Sequence, residues 1–148
     1  MPTSFSTIYS AALMKIKAYD LIKLFKAERE DVLHAHLLAA QMRFQKVCRA
    51  DLTDRDDALG QYNQDIGEDA VEVLATGIAF EWLSACILNN DLLENEISTK
   101  EASTFSPANL IRETNLLRRQ IRKEFLLLIN QYDHDHSDHS NLTAAAPI

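Results

Sequence analysis

Apolar residues recur along most of this chain at three- and four-residue steps, the spacing of one face of an α-helix. The most regular run is Leu110, Leu117, Ile121, Phe125, Leu128 and Tyr132, flanked by Ile111 and Leu116. Arg112, Arg118, Arg119, Arg122 and Lys123 fall between these positions. The stretch 98–110, STKEASTFSPANL, writes the start of that helix: Ser106 as N-cap, Pro107 at the first helical position and Leu110 as the first core residue. The pattern predicts a helix from 106 to about 132.

Before it lies the densest apolar stretch, 70–93, which carries the only tryptophan, Trp82. A capping box, Asp65-Ile66-Gly67-Glu68, predicts that this helix opens at Asp65. From Ile78 onward it is apolar on nearly every face, so it must be covered on several sides, by more than three partners in a small domain easily give. Gly77 inside it suits a close approach by another helix, and otherwise costs about 1 kcal/mol against alanine. Glu81, beside Trp82, either faces solvent or pairs with an arginine of the last helix. Asn89-Asn90-Asp91 ends the helix, and residues 92–98 (LLENEIS) are expected to form one short turn.

A further helix is predicted over about 27–49. It opens on Glu28, Glu30 and Asp31 and closes on Arg43, Lys46 and Arg49, which matches the helix dipole at both ends. Its apolar stripe is broad: Val32, Leu33, Leu37, Leu38, Ala40, Met42, Phe44 and Val47. Ahead of it, residues 3–15 read as a short helix, followed by an irregular or partly helical arm. Between the second and third helices, 51–65 is a polar connector with five Asp residues and turn chemistry at Gly60 and Asn63. Its spacing does not match a calcium loop, so Asp54, Asp56 and Asp57 are read as caps and solvated charges. The fold class expected is all-α: a small bundle of about four main helices over 27–132, an N-terminal helix and arm over 1–26, and a flexible His/Asp-rich tail over 133–148.

Composition narrows the picture further. A chain of 148 residues with 47% hydrophobic and 25% charged residues is ordinary for one globular domain with a real core. Three Gly and three Pro argue against the many tight turns of an all-β fold. Cys48 and Cys86 sit in apolar segments without ligand-spaced partners and read as packed thiols. Neither a secretory leader nor an uninterrupted apolar run of about 18 residues is found, so no membrane contact is expected.

The net charge of −7 is segregated. Residues 1–50 and 102–132 are net basic, 51–101 is strongly acidic, and 133–148 adds three Asp. Opposite charges can neutralise within one fold, or let one copy's acidic face meet another's basic face. The acidic whole argues against a general nucleic-acid footprint; contact with DNA would be local, as in lining a channel.

No glycine-rich phosphate loop, HExxH, paired CxxC or nucleophile elbow occurs. No enzyme and no cofactor are expected. His34 and His36, two apart on a helix, point in different directions. His134, His136 and His139, interleaved with Asp133, Asp135 and Asp138, are the only metal candidates, and a mobile tail would bind a divalent ion weakly. A polar tail that orders against a partner is the preferred reading of the same residues.

Trp82-Leu83-Ser84 near the end of one helix, then STKE…FSPANL opening a long final helix that ends at Tyr132, resembles the head–tail adaptor (connector) proteins of the tailed-bacteriophage neck. Phe44 with Cys48-Arg49, and Tyr62-Asn63 before the acidic helix start, fit the same pattern. The resemblance covers about 16–132; the chain departs from the family pattern in ending on a His/Asp tail rather than an aromatic-rich stretch. It implies a helical bundle repeated as a homo-oligomeric, dodecameric ring beneath the portal protein, joining capsid to tail in the virion and assembled in the host cytoplasm. Its partners would be the portal and the tail or neck proteins. Arg118, Arg119, Arg122, Tyr132, His134 and His136 are the candidate interface residues. Another tail or baseplate assembly component, or a metal-binding helical module using the tail, stands as the alternative.

Overall fold

The computed structural model describes residues 1–19, 30–88 and 107–137. Four helices appear among them: α1 (Phe5–Ala18), α2 (Glu30–Phe44), α3 (Glu68–Leu88) and α4 (Pro107–His136). Three two-residue strands accompany them: β1 (Thr3–Ser4), β2 (Arg55–Asp56) and β3 (Gln61–Tyr62). The protein is an all-α bundle with α3 at its centre, packed against α1, α2 and α4.

The centre is α3 because its sequence is apolar on nearly every face from Ile78 onward. Every residue from Val73 to Phe80 is buried, and among the described residues α1, α2 and α4 pack against the helix. Over Glu68–Ile87 the mean hydropathy reaches 1.5, within the range of a membrane span, yet 67% of that window is buried inside the bundle. Its apolar surface is already used by its own neighbours.

Helix α1 buries Phe5, Ile8, Ala12 and Ile16. Its stripe continues through Ile16, so the helix runs three residues past the expected end. Ser4 caps it, accepting from the Ser6 amide. Lys15 reaches across to Glu72 of α3 at 2.5 Å and Glu124 of α4 at 2.8 Å, tying three helices by one ammonium.

Helix α2 buries Leu33, Leu37, Ala40, Gln41 and Phe44 and ends at Phe44, five residues earlier than expected. The chain leaves the helix through a turn in which the Val47 and Cys48 amides both donate to the Phe44 carbonyl. The next amide, that of Arg49, donates to the Tyr132 hydroxyl at 3.2 Å, a tertiary bond that replaces the helical one. Met42, expected in the apolar stripe, is exposed.

The 51–65 connector is more ordered than its composition implies. β1 pairs antiparallel with β3, and β3 with β2, with Thr3 opposite Tyr62 and Tyr62 opposite Arg55. The aspartates act as caps: Asp51 accepts from the Thr53 amide and Asp56 from the amides of Ala58 and Leu59. The Asp54 carboxylate accepts from the Asn63 side chain at 2.9 Å. Leu52, Tyr62 and Ile66 turn into the core, and the Tyr62 hydroxyl donates to the buried Gln41 at 2.8 Å.

The expected capping box does not form. Asp65 accepts from the Gly67 amide instead, and Gly67 sits at φ 86°, outside helical geometry. α3 therefore starts at Glu68. The last helix begins at Pro107 and continues to His136, four residues beyond the expected end. The predicted Ser106 cap, the arm after Tyr19, the Asn89-Asn90-Asp91 stop, the turn at 92–98, His139 and the tail from 138 lie outside the described residues.

Candidate functional site

The six residues expected at a partner surface divide into two groups. Arg118, Tyr132 and His136 are used within the bundle. Arg118 donates to the Ser84 hydroxyl at 2.9 Å, and its guanidinium lies 5.2 Å from the Phe80 ring centroid. On the same ring, Arg43 lies 5.6 Å from the centroid and donates to Glu81 at 3.2 Å. Glu81 thus pairs with an arginine of α2, which is neither of the two expected outcomes, solvent or an arginine of the last helix.

Tyr132 is buried, edge-on to Phe44 at 4.8 Å, with its hydroxyl 3.7 Å from the Cys48 sulfur. His136 stacks on Tyr132 at 4.1 Å, and its Nε2 lies 2.5 Å from Asp69. Arg49 donates to the His136 carbonyl. The end of α4 is thereby fastened to the α2 exit turn and to the start of α3, and helix extends into the segment expected to be a mobile tail. Cys48 is half-buried and Cys86 buried, neither in a disulfide; burial pushes the Cys48 thiol above its ordinary value.

Arg119, Arg122 and His134 are exposed. Among the described residues no three His, Cys, Asp or Glu side chains converge to hold a metal ion. His134 and His136 stand two apart on one helix, a spacing that points them to different sides.

The structure adds two surfaces that were not anticipated. The outer stripe of α4 presents Arg112, Leu116, Arg119, Lys123 and Leu127, all exposed. The signal for it was present: Leu126 and Leu127 add apolar residues beyond what one buried stripe needs. The second surface is a cleft of about 410 Å³ between the N-terminal ends of α1 and α2 and the turn before β3. Phe5, Tyr9, Glu30, His34, Asp57 and Leu59 line it.

Within the cleft the Tyr9 hydroxyl lies 3.4 Å from His34 Nδ1, and His34 Nε2 lies 3.4 Å from Asp57. Arg55 also donates to Asp57, at 3.1 Å. Burial, then the negative charges of Glu30 and Asp57, push Tyr9 up to about 12. A phenol held so firmly protonated is a poor acid or base at neutral pH.

The same shifts set an alkaline limit on the fold. Burial raises Tyr9 and Tyr132 from the ordinary value of 10 to about 12 and carries Tyr62 higher still. Lys15 is raised above 10.5: burial lowers it, but its bonds and charge attraction to Glu124 and Glu72 outweigh that. Groups whose folded values are raised contribute stability that is whole below the unfolded value and is lost as pH climbs through the folded one. Helical circular dichroism is therefore expected to hold to about pH 10 and to collapse between pH 10 and about 12. Loss of helix well below pH 10, or its persistence beyond about 12, contradicts this assignment.

No protein-family model, curated protein or solved structure matches the chain.

Proposed function

We propose that this chain is a head–tail adaptor of the tailed-phage neck, a virion protein repeated as a ring beneath the portal. In this reading it works through surfaces, with no chemistry of its own and no membrane contact.

The observation that carries the reading is where the resembling residues go. Tyr132 packs on Phe44, its hydroxyl within reach of Cys48 and Arg49, and Ser84 accepts from Arg118. Residues that carry the sequence resemblance hold α4 to α2 and α3, and so belong to the scaffold of the fold. A resemblance written in scaffold residues is one of architecture, and the functional reading rests on that analogy. Exposed basic residues of α4, Arg119 and Arg122 among them, are left for partners or for DNA passing along a channel.

The test is co-sedimentation with assembled rings of the portal protein encoded by the same genome. A saturable complex with several copies of this chain per portal ring is expected. Absence of any complex, at low and at physiological salt, overturns the assignment.

A further inference from the structure

The outer stripe of α4 is exposed along its length. Arg112, Leu116, Arg119, Lys123 and Leu127 follow one another at helical spacing, on the side opposite the buried Ile121, Phe125 and Ile129. Leu116 is 56% and Leu127 62% exposed. Among the described residues, Arg112, Arg119 and Lys123 form no ion pair. Large apolar side chains interleaved with exposed cations are the makings of a docking surface, since each alone would be ordinary and together they form a stripe.

The complement lies elsewhere on the same chain. The 410 Å³ cleft has Phe5 and Tyr9 in its wall, the carboxylates of Glu30 and Asp57 on it, and Leu59 at 70% exposure beside them. Apolar and acidic groups line the cleft, Asp57 being shared with Arg55 and His34, and apolar and basic groups line the α4 stripe. The two surfaces do not meet within one molecule. The cleft is built by the N-terminal ends of α1 and α2 with the turn before β3, whereas the α4 stripe faces away from α3 and the core.

We propose that the α4 stripe docks on the acidic cleft of a second copy of this chain. Arg119 and Lys123 face Glu30 and Asp57 of the neighbour, and the exposed leucines of α4 cover Leu59. Each copy then gives its stripe to one neighbour and its cleft to the other, a heterologous contact of the kind that closes into rings. Closure into a neck ring rests on the proposed function, whereas the pairing of copies rests on the two surfaces alone.

Charge exchange tests the pairing. Arg119→Glu/Lys123→Glu makes the stripe acidic; Glu30→Lys/Asp57→Lys makes the cleft basic. The substituted residues are exposed or line an open cleft, and unchanged helical circular dichroism verifies each fold. In sedimentation equilibrium from micromolar to millimolar protein at low salt, the wild type is expected to self-associate and added salt to weaken it. Each variant alone is expected to associate about tenfold or more weakly. An equimolar mixture of the two is expected to regain wild-type association, because acidic stripes then meet basic clefts and basic stripes meet acidic ones. A wild type that stays monomeric at millimolar concentration overturns the pairing, as does a mixture no stronger than its components. Either failure leaves the portal assay to decide the neck reading separately.

Discussion

Gly77→Ala is expected to destabilise the bundle by about 2–3 kcal/mol, although alanine is ordinarily the better helix residue by about 1 kcal/mol. A Cβ at this position would stand 2.5 Å from the Ala40 Cβ and 2.9 Å from the Phe125 ring. Both neighbours are buried, and both belong to helices packed against α3, so neither can yield without moving a helix. The overpacking outweighs the gain in propensity. Thermal denaturation should show a melting temperature lower by roughly 5–10 °C for a chain of this size. Ala40→Gly in the same molecule removes the nearest clash and should recover part of the loss, despite adding a helical glycine. A stabilised or neutral Gly77→Ala would mean that the helices are not in this close contact.

Tyr132→Ala is expected to cost about 3–5 kcal/mol, the range for truncating a buried aromatic. It removes the ring that packs edge-on to Phe44 and beneath His136. Tyr132→Phe keeps the ring and removes only the hydroxyl that accepts from the Arg49 amide at 3.2 Å. That loss leaves a backbone donor short of its partner, for about 1–2 kcal/mol. Chemical denaturation of the two variants separates packing from hydrogen bonding. Amide exchange at Arg49 should quicken in Tyr132→Phe while the core of α3 stays protected. Equal losses in both variants would show that the hydroxyl, not the ring, holds the end of α4.

The candidate surfaces were legible only in part. Arg119 and Arg122 could be marked as exposed because they fall between core positions of a regular helix, and they are exposed. Spacing put Tyr132 on the apolar stripe, where it is buried, but the bonds of Arg118 and Tyr132 depend on Ser84, Phe80, Phe44 and Arg49, each distant in sequence. The acidic cleft was out of reach altogether. Tyr9, His34 and Asp57 come from three separate segments, and only the packing of α1 beside α2 brings them together.

By itself the sequence determined the all-α class, the buried central helix and the start of α4 at Pro107, and it left a close approach at Gly77 open. These are local matters: period, propensity and the constraint of one ring or one missing side chain act within a few residues. Tertiary structure decided where the helices stop and how the connector folds. α2 ends at Phe44 with the Arg49 amide taken up by Tyr132, and α4 runs on to His136 as Asp69 and Arg49 receive its last turn. The connector supplies two of the three strands of a sheet whose strands are only two residues long, with Thr3 opposite Tyr62. Strands that short carry no periodicity of their own. The β1–β3 hydrogen bonds exist only once the helices have brought the N-terminal residues beside the 55–62 hairpin.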